Sequence, residues 1–177
     1  PLIKSCGLDA VRMLKKEFPQ HPVVADMKVL DAGRTEVEIA AKSGADIVVV
    51  MAHASDSTIQ EAIEASRNYG AKILVDFMED ACNIERIKTI AGFHPDFIGV
   101  HIPIDQQMTG NISFDFLKKI SKIVSVPLAI AGGLNSENVT DAIKAGASIL
   151  IIGGAVTKSE NAEKAVRIIK KAIDEIF

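Results

Sequence analysis

The segment Asp26-Met27-Lys28-Val29-Leu30-Asp31 brings two carboxylates and an ammonium group into one short stretch of chain. It follows the apolar run at residues 23–25, so we expect it where a strand ends and its loop begins. Residues two apart on a strand point to the same side, which places Asp26 and Lys28 on one face. Asp31 falls in the turn beyond, from which its side chain can return to the same place. Carboxylates held together need a cation nearby, and Lys28 supplies one.

Three kinds of chemistry suit such a cluster: binding a metal ion, moving protons, or holding the hydroxyl groups of a sugar. The alternative is a solvated loop that carries an incidental ion pair. The segment alone does not decide between these interpretations, so the remaining sequence has to provide the context.

Length and composition indicate one soluble globular domain. The sequence has 177 residues, of which 48% are hydrophobic and 5% aromatic, as expected for parallel strands buried under helices. The net charge of −3 argues against nucleic-acid or membrane binding, although backbone amides can still bind a phosphorylated small molecule. Cys6 and Cys82 are too few for a disulfide framework, so we expect free thiols in or near the core and a cytoplasmic, reducing compartment.

The chain repeats a strand, a loop and a helix about every 22–30 residues, which is the size of a βα module. Apolar, β-branched runs predict strands at residues 23–25, 46–52, 72–78, 97–102, 127–131 and 149–152. Amphipathic stretches between them predict helices, which end at Gly44, Gly70 and Gly146. Strict alternation predicts a parallel sheet, either doubly wound or closed as a barrel.

Polar residues and glycines fall at the ends of nearly every predicted strand, which favours a (β/α)8 TIM barrel over a doubly wound sheet. They are Asp26, Lys28, His53, Asp76, His101 and the pairs Gly132-Gly133 and Gly153-Gly154. We expect Asp26, His101 and Gly132 on one rim. Paired glycines after the last two strands are typical of the phosphate site of such barrels.

Six predicted strands are two fewer than a barrel of this kind requires. Because the phosphate-type strands are the last two, we expect the missing βα units at the N-terminus. Residues 1–177 then form a single TIM-barrel domain with strands three to eight, and Pro1-Leu2-Ile3 is the tail of the second strand.

The segment at residues 25–46 resembles the 3-hexulose-6-phosphate synthases of the orotidine 5′-monophosphate decarboxylase superfamily, whose third strand carries D-x-K-x-x-D. The resemblance extends over the chain, through Val100-His101 with Asp105-Gln106-Gln107, Ala131-Gly132-Gly133-Leu134 and residues 152–157. Asp31-Ala32-Gly33 favours the synthases and the sister 3-keto-L-gulonate-6-phosphate decarboxylases over the nucleotide decarboxylases. Gly154 favours the synthases, because the sister enzymes usually have Arg there.

The resemblance implies a reversible, Mg²⁺-dependent aldol condensation of formaldehyde with D-ribulose 5-phosphate, giving D-arabino-3-hexulose 6-phosphate. It implies Asp26 as a metal ligand and Lys28 as electrostatic support for an enediolate. Asp31 would hold substrate and reach the active site of the partner subunit in a homodimer. His101 matches the residue for proton transfer, whereas the residues alone also allow a strand-end histidine with an ordinary hydrogen bond. The phosphate would lie against Gly132, Gly133, Gly153 and Gly154.

Several alternatives stay open. The family also uses an Asp on strand one and a Glu beside strand two, the latter a second metal ligand, and neither segment occurs in this sequence. The sister decarboxylase, another decarboxylase of the superfamily, and a non-catalytic truncated sugar-phosphate binder are the competing functions. Asp76 is either a polar support or incidental, and His53 is assigned to a loop.

Overall fold

The computed structural model of the protein describes residues 2–78, 83–102 and 113–176. Its strands are β1 (Val24–Val29), β2 (Ile47–Met51), β3 (Lys72–Met78), β4 (Phe97–His101), β5 (Leu128–Ala131) and β6 (Ala147–Ile151). They form a parallel six-stranded sheet in the order β1-β2-β3-β4-β5-β6, as the sequence predicts. Within the described residues, no helix is both long and apolar enough to cross a bilayer.

The helices alternate with these strands from β1 onward. They are α1 (Leu2–Cys6), α2 (Asp9–Glu17), α3 (Gly33–Lys42), α4 (Asp56–Tyr69), α5 (Ile84–Ala91), α6 (Asp115–Ile120), α7 (Val139–Lys144), α8 (Gly154–Thr157) and α9 (Ala162–Asp174). The chain divides into two compact units, the first of residues 1–77 and 88–98 and the second of residues 78–87 and 99–177.

The first unit is built on β2, whose Val48 and Val50 are fully buried. β2 pairs in parallel with β3, so that Met51 lies opposite Asp76 at their carboxyl ends. α3 and α4 pack closely: a Cβ atom added to Gly33 would lie 2.2 Å from the carbonyl oxygen of Thr58. The glycine at the start of α3 therefore sets the separation of these two helices.

The second unit is built on β5, which is buried along its whole length and pairs in parallel with β6. Its apolar core comes from the helices and strands that follow β4, with Leu117, Ile120, Ile130, Val139 and Ala142 all buried. The backbone N–H of Ile102 donates to the carbonyl of Ala131 at 2.9 Å, which aligns the end of β4 with the end of β5.

Two boundary predictions are wrong. Leu2 and Ile3 lie in helix α1 rather than at the end of a strand, because the chain closes a local turn in which the N–H of Gly7 binds the carbonyl of Ile3 at 2.9 Å. The first predicted strand does not end at residue 25. It continues to Val29, because Val29 is buried and pairs with Val50.

The cysteine prediction is wrong in one respect. Cys6 is a free thiol, as expected, but it is exposed rather than in or near the core. It lies in α1, which contains no buried residue. Cys82 lies outside the described residues.

Candidate functional site

A bulge in β1 shapes the segment that carries Asp26 and Lys28. Ala25 pairs with Val48 and Val29 pairs with Val50, so residues 26–28 face only Val49 of the neighbouring strand. Lys28 takes a φ of +52°, which is uncommon for a residue with a side chain. Bulges redirect side chains, and unusual backbone angles of this kind cluster at functional sites. The bulge, rather than simple strand alternation, therefore sets the directions of Asp26 and Lys28.

The Lys28 ammonium group lies between two carboxylates. Its Nζ is 3.0 Å from Oδ1 of Asp26 and forms a second ion pair and hydrogen bond with Oδ2 of Asp76. Asp76 is only 4% exposed, whereas the Asp26 side chain is 55% exposed. Lys28 thus compensates a buried carboxylate on β3 and keeps an accessible carboxylate beside it.

These contacts determine the charge of Lys28. Burial acts to lower its pKa, but the attraction and hydrogen bonds of Asp76, followed by those of Asp26, outweigh burial and raise the pKa above its ordinary value. Lys28 is therefore an ammonium ion at neutral pH. It can stabilise negative charge that develops on a substrate, and it cannot act as a general base there.

Asp31 occupies the turn between β1 and α3. It is exposed, and its Oδ1 accepts a hydrogen bond from the backbone N–H of Ala32 at 2.7 Å. The ion pairs of Lys28 are with Asp26 and Asp76, so the second carboxylate of the cluster is Asp76 rather than Asp31. The sequence does carry a signal for this: an aspartate inside the apolar strand Lys72–Met78 is buried and needs a cation.

The second unit gathers another set of predicted site residues at the ends of β4, β5 and β6. His101 is the last residue of β4, and the hydrogen bond of Ile102 to Ala131 brings it beside the start of the Gly132-Gly133 turn. Ala131 pairs with Ile151, so the same alignment extends to the end of β6, shortly before Gly153. Each unit therefore assembles its own part of the predicted site. That Asp26, His101 and Gly132 share a rim stays a prediction.

The two glycine pairs of this second set differ in whether the local structure requires glycine. Gly132 and Gly133 have φ values of +101° and +67°, which favour glycine at both positions. Among the described residues, a Cβ atom at Gly153 would meet nothing within 4 Å, and one at Gly154 would come no closer than 3.8 Å to Lys158. Packing against these residues does not require glycine at residues 153 and 154. The absence of side chains there leaves the backbone open to close approach by a ligand.

Two other sequence predictions concern the surroundings of the site. His53 is exposed in the loop after β2, as predicted. Asp105, Gln106 and Gln107 lie outside the described residues.

The carboxylates of the site decide whether it can hold Mg²⁺. Among residues 2–78, 83–102 and 113–176, no group of three or more His, Cys, Asp or Glu side chains is arranged to hold a metal. Mg²⁺, however, commonly binds through one or two carboxylates and takes its remaining ligands from water and substrate oxygens. Asp26 offers one exposed carboxylate of the kind that Mg²⁺ prefers, so the residues present fit a site completed by substrate.

Comparison with known proteins assigns the family. The sequence pattern of the orotidine 5′-phosphate decarboxylase / HUMPS family matches residues 1–169. The chain belongs to this family. The match includes both the Asp26–Lys28 segment and the two glycine pairs, so the orotidine 5′-phosphate decarboxylase / HUMPS pattern spans both units.

The chain is similar to several 3-hexulose-6-phosphate synthases. The chain is 36% identical to a 3-hexulose-6-phosphate synthase of Bacillus subtilis, over 96% of this chain and 83% of the relative. It is 32% identical to a 3-hexulose-6-phosphate synthase of Mycobacterium gastri, over 98% of this chain and 84% of the relative. A crystal structure of a 3-hexulose-6-phosphate synthase, 32% identical, superposes with a TM-score of 0.90 over 97% of this chain and 83% of that chain. The strands of the chain therefore belong to the TIM-barrel fold class, as predicted.

Proposed function

We propose that the protein is a 3-hexulose-6-phosphate synthase, an aldehyde-lyase. It joins formaldehyde and D-ribulose 5-phosphate reversibly to give D-arabino-3-hexulose 6-phosphate. The synthases among its relatives support this substrate pair. The structural observation that carries the proposal is the Lys28 ammonium group, held between Asp26 and Asp76.

Lys28 supplies the electrostatics of the reaction. Loss of a proton from the carbon beside the ketone of ribulose 5-phosphate gives an enediolate, which carries negative charge on its oxygens. A fixed ammonium group stabilises that charge more than it stabilises the neutral ketone, which is the condition for lowering the barrier. The enediolate carbon then forms a bond to formaldehyde, and the formaldehyde oxygen takes up a proton.

His101 is the proposed proton carrier. Histidine is the commonest side chain in general acid–base catalysis, and His101 at the end of β4 is next to the turn that we assign to substrate binding. Asp76 is a positioning residue in this scheme, because it touches Lys28 rather than substrate.

Asp26 is the proposed protein ligand for Mg²⁺. When bound, the ion would act as a Lewis acid toward the two sugar oxygens next to the reacting carbon. The exposed carboxylate of Asp26 supports this assignment. Its neighbour Lys28 partly offsets the negative charge of Asp26.

The glycine pairs are the proposed phosphate-binding backbone. Gly132 and Gly133 both have positive φ, a geometry in which successive backbone N–H groups can turn toward one anion. No atom of the described residues blocks the approach of a phosphate to Gly153 in the second pair. Both pairs lie in the same unit and follow adjacent strands.

A homodimer with shared active sites is the proposed assembly. Asp31 is exposed, and it is preceded by Leu30, which is 58% exposed. Ile39 on α3 is also a large exposed apolar side chain. Exposed apolar side chains next to Asp31 in sequence and on the following helix suit a two-fold contact in which Asp31 enters the site of the partner subunit.

The test is consumption of ribulose 5-phosphate by the purified protein with and without formaldehyde. A synthase consumes ribulose 5-phosphate only when formaldehyde is present and produces hexulose phosphate in equal amount. Decarboxylation of 3-keto-L-gulonate 6-phosphate without a formaldehyde-dependent reaction would identify the sister activity instead. Binding of ribulose 5-phosphate without turnover of either kind would identify a non-catalytic binder.

A further inference from the structure

The side chain of Asn138 spans the Gly132-Gly133 turn and the segment that follows it. Its Nδ2 donates to the carbonyl of Gly133 at 3.1 Å, and its Oδ1 accepts from the backbone N–H of Asn135 at 2.9 Å. The two bonds use the donor and the acceptor ends of one amide group. Aspartate has no donor, alanine has neither group, and so the arrangement is specific for an amide side chain of this length.

This arrangement is unusual for a residue in its position. Asn138 immediately precedes α7, where an asparagine ordinarily accepts a hydrogen bond from an N–H in the first turn of its own helix. Here the side chain makes no such capping bond. Asn161, which precedes α9, behaves in the ordinary way and accepts from the N–H of Lys164 at 2.9 Å. The side chain of Asn138 therefore bonds to the glycine turn and the segment after it, and not to the first turn of α7.

The contact fixes the direction of one peptide group. In a trans peptide the C=O and the following N–H point in opposite directions, so holding the Gly133 carbonyl also holds the N–H of Leu134. Glycine peptides rotate more readily than others, because glycine has no Cβ to restrict φ and ψ. A rotation here would exchange the positions of a carbonyl oxygen and an N–H, and a carbonyl oxygen repels an anion.

We propose that Asn138 is a positioning residue that keeps the Gly132-Gly133 turn in the conformation that binds the phosphate monoester of the substrate. The inference rests on the proposed function, because it takes that turn as part of the phosphate site. Asn138 does not itself contact the phosphate in this scheme. Because Asn138 already orders the turn in the free protein, less conformational entropy is lost when the phosphate binds. Binding is then stronger without any new contact to the ligand.

Calorimetric titration with ribulose 5-phosphate, without formaldehyde, tests the inference on the full chain. Asn138→Ala should weaken binding by roughly 3- to 10-fold, the scale of one lost hydrogen bond. Asn161→Ala is the matched control, since it removes an asparagine with one ordinary capping bond. It should lower the melting temperature to a similar extent and leave the affinity for ribulose 5-phosphate unchanged.

Asn138→Asp separates the two bonds of the amide. It retains an acceptor for the N–H of Asn135 but removes the donor to Gly133, so it should weaken binding at least as much as Asn138→Ala. The loss should persist at high ionic strength, where repulsion between the new charge and the phosphate is screened. Wild-type affinity in Asn138→Asp would show that only the bond to Asn135 matters and would overturn the inference.

The steady-state rates provide a second readout. The KM for ribulose 5-phosphate should rise in Asn138→Ala while kcat changes by less than about 2-fold, because the phosphate group takes no part in the bonds that form and break. Equal binding by wild type, Asn138→Ala and Asn161→Ala would overturn the inference and leave the synthase assignment intact. Normal ribulose 5-phosphate binding without formaldehyde-dependent turnover would overturn the synthase assignment alone. Absence of ribulose 5-phosphate binding by the wild-type chain would overturn both.

Discussion

The Lys28 ammonium group on β1 binds the Asp76 carboxylate on β3, reaching past the intervening strand β2. Asp76 is 4% exposed, and the ion pair with Lys28 stabilises its charge. Moving Lys28 away would remove that ion pair from a buried carboxylate, which is costly. The pair therefore fixes a cation beside the accessible carboxylate of Asp26, and it does so before any ligand arrives.

Replacement of Lys28 tests the role of this fixed charge. Lys28→Ala should lower kcat by at least about 10²-fold, because it removes the charge that we propose stabilises the enediolate oxygens. Phosphate affinity should change little, since the proposed phosphate site is the two glycine turns. Steady-state kinetics with ribulose 5-phosphate and formaldehyde provide the measurement.

Lys15→Ala is the control for Lys28→Ala, because Lys15 also pairs with an aspartate, Asp46, at 2.9 Å. It should leave kcat unchanged. The double change Lys28→Ala, Asp76→Asn removes the buried carboxylate charge together with its cation and should show the same loss of kcat in a stably folded chain. Unchanged turnover together with weaker substrate binding would rule out the enediolate role of Lys28.

Replacement of Asp26 tests the proposed metal ligand. Asp26→Asn should abolish both the activity and its dependence on Mg²⁺, because the amide is a far weaker ligand than the carboxylate. The Asp26 side chain is 55% exposed, so the free energy of unfolding should change by no more than about 1 kcal/mol. Titration of activity with Mg²⁺, beside a denaturation curve, distinguishes loss of metal from loss of fold. Full Mg²⁺-dependent activity in Asp26→Asn would place the metal elsewhere.

The ion pairs of Lys28 predict a dependence of stability on alkaline pH. Its pKa is raised in the folded protein, with burial opposing the effect of Asp76 and Asp26. A group of this kind contributes its full stability below the pKa of the unfolded chain, about 10.4 for lysine, and loses it as the pH rises through the folded pKa. Urea denaturation gives the free energy of unfolding of wild type and of Lys28→Ala. The difference between the two should be constant from about pH 7 to 9 and should fall above about pH 10. A difference that instead grew above pH 10 would contradict the assigned direction.

Replacement by alanine should mainly affect stability at Gly33 and mainly affect substrate binding at Gly153. Gly33→Ala places a Cβ atom 2.2 Å from the Thr58 carbonyl oxygen, so α3 and α4 must separate, at a cost of about 1–3 kcal/mol in the free energy of unfolding. Gly153→Ala meets no atom of the described residues within 4 Å and should cost at most about 1 kcal/mol. It should nevertheless weaken ribulose 5-phosphate binding, because the new methyl group occupies the space assigned to the phosphate. Denaturation and calorimetry on both variants provide the comparison, and unaltered binding by Gly153→Ala would remove residue 153 from the phosphate site.

The sequence predicted the repeat of strands and helices because its periodicity and helix-ending glycines are local signals. It also identified Asp26 and Lys28, since charged residues beside a buried strand are conspicuous. It placed the end of β1 too early, because a bulge lets polar residues remain within a strand and leaves no local pattern. Burial of Val29 against β2 decides that boundary, and burial is a property of the fold.

Contacts between distant residues were the harder part to predict. The sequence left Asp76 as either a polar support or incidental, although an aspartate among apolar neighbours already signals a buried charge. It grouped Lys28 with Asp26 and Asp31, and the ion pair of Lys28 with Asp76 depends on the register of β1, β2 and β3. Asn138 was missed because its sequence position before a helix predicts ordinary capping, and only the direction of its side chain reveals the bonds to the glycine turn.

Mixed dimers test whether Asp31 acts across a subunit interface. Lys28→Ala and Asp31→Ala should each be nearly inactive alone. If Asp31 serves the partner subunit, a dimer of one chain of each kind has one site with both defects and one intact site. Random mixing makes about half of the dimers mixed, so roughly a quarter of wild-type activity should return.

Lys28→Ala mixed with Asp26→Asn is the control for this experiment. Both residues lie on β1 of the same subunit, so no mixed dimer contains an intact site and no activity should return. If Asp31 serves its own subunit, the Lys28→Ala and Asp31→Ala mixture also stays inactive. Light scattering at micromolar concentration completes the test, because a monomer there would exclude a shared site whatever the activity of the mixtures.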